Sequence, residues 1–144
     1  MSSEQHFRKL ERMYVAAPVN RYYAPEIRIR EGEAEIVIPI RPDFHHAAGA
    51  VHGAVYFKCL DDSCWFAAAA LVEEVCLLTS AYNIQMLRPV TEGVLRAEGR
   101  VVHRSRRVLI ADGVLVDDQG RELARGSGTF MRTSIRLTEE IGYA

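Results

Sequence analysis

The spacing of apolar positions changes along the chain, and each change predicts an element. Phe7, Leu10 and Tyr14 recur at helical intervals within residues 3–14, behind Ser3 as a cap, and predict a short amphipathic helix. Pro18 and Pro25 end it and lead into extended chain. Residues 26–40 alternate, with Ile27 and Ile29, then Ala34, Ile36, Ile38 and Ile40, about Gly32, as a two-stranded hairpin would. From Pro42 to Gly53 the pattern dissolves into a loop of histidine and small residues. From Gly53 to about Val72 the chain is apolar on almost every face, which predicts a buried helix. Four strand-like segments follow, Thr79–Leu87, Gly93–His103, Val108–Val116 and Glu122–Arg132, and their short connections imply antiparallel neighbours. Six strands and one central helix make an α+β domain in which a curved antiparallel sheet wraps the helix.

At 144 residues the chain holds one core. It divides into a lead-in (1–24), a single domain (25–136) and a short tail (137–144). A net charge of −1 argues against nucleic acid or an anionic membrane surface as partner. That neutrality conceals a contrast: residues 1–87 carry eight basic and eleven acidic side chains, and residues 88–136 carry ten and six. Sixteen of the eighteen basic residues are arginine. This fits either a GC-rich coding sequence or a planar fork for phosphate, and it favours a small polyanion over a polymer. Cys59, Cys64 and Cys76 are odd in number and lack metal-ligand or disulfide spacing, so no metal and a reduced, cytoplasmic compartment are expected. The longest apolar run, Trp65–Val72, is eight residues, so neither a signal peptide nor a membrane span is expected.

Within the apolar helix, Asp61 and Asp62 stand side by side, and an unpaired buried carboxylate is costly or shifts its pKa. Lys58 lies four residues before Asp62 and three before Asp61, so helical spacing gives only a preference for pairing with Asp62. That pairing leaves Asp61 on the stripe of Phe57, Cys64, Trp65 and Ala68; a pair of helix-surface carboxylates is the other reading of this fragment. Asp61 is therefore expected in an apolar cleft with a raised pKa, and Asp62 paired or solvated. Val51-His52-Gly53-Ala54 opens the same helix, whose first N–H groups lack helical partners and suit a developing oxyanion. Gly53 and Asp61 are eight residues apart, ~12 Å along the helix, too far to act on one carbonyl. A site using both needs Asp61 from a second subunit, hence a homodimer with composite sites.

With His52-Gly53-Ala54, Asp61, Arg88-Pro89, Gly93 and the closing Asp118-Gln119-Gly120 and Ala124–Thr129 hairpin, residues 26–133 resemble the hotdog-fold acyl-CoA thioesterases of the phenylacetate-degradation (PaaI-like) type. The resemblance implies a hotdog fold and hydrolysis of a small or medium acyl- or aryl-CoA without a cofactor. It implies that Gly53 N–H polarises the thioester carbonyl and that Asp61 of the facing subunit acts as general base or nucleophile. Thr79 falls where relatives carry a hydroxyl that places water. His52 would shape the site at the helix start or pack there. Arg88, Arg104, Arg106 and Arg107 fall where relatives meet the CoA nucleotide, although an exposed basic turn would look the same. Dimers of such relatives often pair into tetramers.

Two positions depart from the family pattern. His46 stands where the family carries Asn, replacing an amide donor with a titratable ring, and Ala54 replaces a second Gly. A non-catalytic acyl-CoA binding or sensing protein is the alternative. A dehydratase or hydratase of acyl thioesters fits less well, since no His-Phe-Pro-Gly lies near Asp61.

Overall fold

A computed structural model describes residues 1–144. Helix α1 (Ser3–Ala16) is capped by Ser2 rather than Ser3: Ser2 Oγ accepts from Gln5 N, and Gln5 Oε1 accepts from Ser2 N at 2.8 Å. Between the two prolines the chain is not extended throughout but forms a single turn, α2 (Asn20–Tyr23), stopped by Ala24 at φ 50°. Pro18 suits the entry to such a turn because its missing N–H would be unpaired there anyway.

Strands β1 (Glu26–Arg30) and β2 (Glu33–Pro39) form the expected hairpin. After a one-turn segment at Pro42–Phe44 and the histidine loop comes α3 (Gly53–Ala69). It is shorter than its apolar pattern, because Leu71 and Val72 continue the run as tight turns, donating to Ala68 O and Ala69 O. Strands β3 (Val75–Met86), β4 (Val94–Arg104), β5 (Val108–Val116) and β6 (Glu122–Arg136) complete the sheet. β3 starts four residues earlier than alternation predicted and β6 ends four later. Each supplies the other's ladder out to the Val75 and Arg136 pair, so pairing extends them where side-chain alternation fades.

All pairings are antiparallel, in the order β1-β2-β4-β5-β6-β3. The sheet curls around α3, whose Cys59, Leu60, Cys64, Ala67 and Ala68 are fully buried with Ile36, Ile38, Leu95, Ala97, Leu109 and Phe130. That close embrace depends on Gly99, paired with Gly113 across β4 and β5: a Cβ on Gly99 would lie 2.4 Å from Ser63 O. Glycine leaves the space through which the helix backbone meets the sheet.

The two sheet edges differ. Along β1, α1 satisfies the open backbone, since Glu11 accepts from Ile29 N and Arg8 donates to Ile29 O, both at 2.7 Å. No strand pairs with the outer edge of β3, where Leu78, Met86 and the following Leu87 are more than half exposed, although Trp65 Nε1 donates to Leu77 O at 3.1 Å. The tail folds back onto α1, where Tyr143 is buried with its hydroxyl 2.7 Å from His6 Nδ1, and His6 Nε2 meets Ala69 O at 2.9 Å. No helix is long and apolar enough to cross a membrane.

Candidate active site

Helix α3 presents its two carboxylates differently, as i, i+4 geometry requires. Lys58 Nζ and Tyr14 Oη both reach Asp62 Oδ2 at 2.7 Å. Asp61 instead faces β3, where Thr79 Oγ1 donates to its Oδ1 at 2.8 Å. Burial pushes the Asp61 carboxyl up to about 6; the Thr79 hydrogen bond pulls against that, Asp62 adds to it, and Lys58 opposes it. Around Asp61 lies a cleft of about 380 Å³ walled by Tyr14, Val19, Trp65, Phe66, Leu77 and Leu78.

The start of α3 opens onto a second cleft of about 330 Å³, lined by His46, Gly53, Tyr56, Met86 and Arg88 among others. Its geometry is built by the flanking loops. Tyr56 Oη donates to Arg88 O at 2.7 Å, which folds the Arg88-Pro89 turn over the helix, and Val51 N bonds Val90 O at 3.0 Å. His52 is the N-cap: its Nδ1 accepts from Ala54 N at 2.9 Å and its ring is exposed, so it does not pack into the core. Gly53 N–H, the donor before it, has no acceptor within the chain. His46 Nδ1 accepts from Ala48 N at 3.0 Å, so the neutral ring carries its proton on Nε2.

The structure thus brings Asp61 together with Thr79, and Gly53 with His46 and Arg88, in two clefts that share no residue. Arg104, Arg106 and Arg107 line neither; they sit on the exposed β4–β5 turn, where Arg104 donates to Leu71 O at 3.2 Å beyond the other end of α3. Of the aromatic residues, Trp65 and Phe66 line the Asp61 cleft, whereas Phe57 and Tyr82 stack edge to face at 5.6 Å outside it. Sequence reasoning missed Tyr14 as a wall of that cleft, since its spacing marked only a helix's buried face. It missed Met86 too, whose Sδ would lie 2.7 Å from a Cβ on Gly53. No group of three or more His, Cys, Asp or Glu side chains is arranged to hold a metal ion.

A curved six-stranded antiparallel sheet wrapped around a central helix is the hotdog architecture. The Thioesterase superfamily model matches residues 48–124, more than half of the chain, and the protein belongs to that superfamily. The PaaI protein of the Escherichia coli phenylacetic acid degradation operon superposes with a TM-score of 0.85 over 94% of this chain and 99% of that one, at 22% identity. A Ralstonia eutropha JMP134 protein described as related to phenylacetic acid degradation is 27% identical, with a TM-score of 0.78 over 88% of this chain and 98% of its own. A Saccharolobus solfataricus protein named as an esterase is 23% identical over 135 residues, 92% of this chain and 93% of the relative.

Proposed function

We propose that the protein hydrolyses the thioester of a small or medium acyl- or aryl-CoA, with Asp61 as general base or nucleophile. The observation that carries this reading is the Asp61 carboxyl itself, pushed up to about 6, oriented by Thr79 and set against an apolar cleft. A base with that pKa is ionised at neutral pH yet retains real proton affinity. As general base, Asp61 takes a proton from water while the oxygen bonds to the thioester carbon. The carbonyl oxygen's developing charge meets Gly53 N–H. Collapse breaks the C–S bond, and the proton on Asp61 passes to the departing CoA sulfur.

The separate clefts of Gly53 and Asp61 support a homodimer whose sites each draw on both subunits, and dimers of this kind can pair further. The open, apolar edge of β3 is the surface on which a second copy would extend the sheet. Arg88, beside Gly53, would meet the CoA phosphates, with the Arg104, Arg106 and Arg107 turn as a further anchor. His46, with its proton on Nε2, supplies a donor in place of the family amide, and His52 holds the helix start in register.

Thiol release from a panel of acyl-CoA esters tests the assignment. Asp61→Asn is expected to lower kcat by about 10²–10⁴. Equal, background-level release by wild type and variant, with CoA esters still bound, would leave a non-catalytic acyl-CoA binding protein as the correct reading.

A further inference from the structure

Lys58 is the only cation lining the Asp61 cleft, three residues from Asp61 on the same helix. At that spacing an ammonium can serve either carboxylate. The chain commits it to one. Its Nζ lies 2.7 Å from Asp62 Oδ2, with side-chain exposures of only 14% and 18% for the pair. Two aromatic rings complete the enclosure: Tyr23 and Tyr14, with Nζ at 4.8 Å and 5.4 Å from their centroids. Tyr14 also donates its hydroxyl to the same Asp62 oxygen. Both tyrosines come from residues 1–24, outside the stretch matched by the family model.

We propose that Asp62, braced by Tyr14, is a positioning residue that holds the Lys58 ammonium away from Asp61 and so preserves Asp61 as an unpaired base. The inference rests on the reading of Asp61 as the base. The titratable groups around Asp61 are Lys58, Asp62 and Cys64 from α3, Tyr14 from α1 and Tyr82 from β3, with the Thr79 hydroxyl as its hydrogen-bond donor. Only Lys58 among them carries positive charge, so its placement decides whether Asp61 stands alone or in an ion pair. An ion-paired Asp61 would be a weaker base and would bind water less freely.

The Asp61 carboxyl can be followed directly by carbon NMR of aspartate-labelled protein, its signal identified by its loss in Asp61→Asn. Asp62→Asn frees Lys58, and the Asp61 midpoint is expected to fall by about one pH unit. Removing Asp62 also removes a like charge, so Lys58→Met/Asp62→Asn separates the two effects. With no cation to redirect, the double variant should restore the midpoint to within a few tenths of wild type. Asp62→Glu, which keeps a carboxylate within reach of Lys58, should also restore it and guards against misfolding of the Asn variant. An unmoved midpoint in Asp62→Asn, or a fall that persists in the double variant, overturns the proposal. The acid limb of kcat/KM measures the second question separately: an NMR midpoint that moves while the acid limb does not would retain the Lys58 arrangement and reject Asp61 as the base.

Discussion

Raising a carboxyl to about 6 inside a folded protein has a stability consequence at the level of the single residue. Unfolded, Asp61 titrates near its ordinary value of 3.8, so the folded state holds the proton more tightly between the two. The group's favourable contribution is present below about pH 4 and is lost as pH rises through about 6. At pH 8 the ionised, half-buried Asp61 therefore weakens the fold. Asp61→Asn keeps an acceptor for Thr79 and removes that burden. It is expected to raise unfolding free energy at pH 8 by on the order of 1 kcal/mol, discounted for solvent screening, and by almost nothing at pH 4. Urea titrations at the two pH values measure the difference, and an Asn variant less stable at pH 8 would show that the site is not strained in this way. Loss of activity with gain of stability is the usual mark of a functional residue in an unfavourable place.

Among the elements, the contact of α3 with the sheet is the one a single methyl group tests most severely. Gly99→Ala places a Cβ against the Ser63 carbonyl, which is backbone and cannot swing away. Destabilisation of about 1–3 kcal/mol is expected, read as a lower urea midpoint, because the helix must lift from β4. By contrast, Gly53→Pro is expected to fold. Gly53 is the first residue of α3, a position that accepts proline, and His52 before it is already extended at ψ 141°. The clash there is with Met86 Sδ, the far end of a flexible side chain. Gly53→Pro deletes one N–H, so kcat should fall by about 10²–10³ with the circular dichroism spectrum unchanged. Residual activity equal to wild type would remove Gly53 N–H from the reaction.

At the scale of the whole molecule, the question is which Gly53 works with which Asp61. Mixing unfolded Gly53→Pro and Asp61→Asn subunits and refolding them together gives a direct answer. If sites combine residues of two chains, each mixed dimer holds one site with both groups intact and one with neither. A statistical mixture should then recover about a quarter of wild-type activity. If each chain carried its own site, every site in the mixture would lack one group and activity would stay at the level of the parent variants. The edges of the sheet agree with the first outcome: α1 closes β1 with Arg8 and Glu11, while twelve-residue β3 pairs with a strand on one side only and leaves Leu78 and Met86 exposed.

The amino-acid pattern alone determined the six strands, their antiparallel sense and the buried helix, because burial on one face or on all faces writes itself into periodicity of two or of none. It also favoured Asp62 over Asp61 as the partner of Lys58, since both spacings are local to one helix, and the structure made that pairing definite. Element ends were legible only where a turn residue marked them. The early start of β3 and late end of β6 depend on each other through pairing, which local alternation does not record. Only the tertiary structure decided that Tyr14 from the N-terminal helix would wall the Asp61 cleft and brace Asp62, forty-eight residues away. The separation of Gly53 from Asp61 was legible as eight residues of helix, but tertiary structure decided what walls each: Leu77, Leu78 and Thr79 of β3 around Asp61, and Met86 and Arg88 around Gly53. These walls come from surfaces that meet across long stretches of sequence, and packing in three dimensions sets them where hydrophobic spacing along one element cannot.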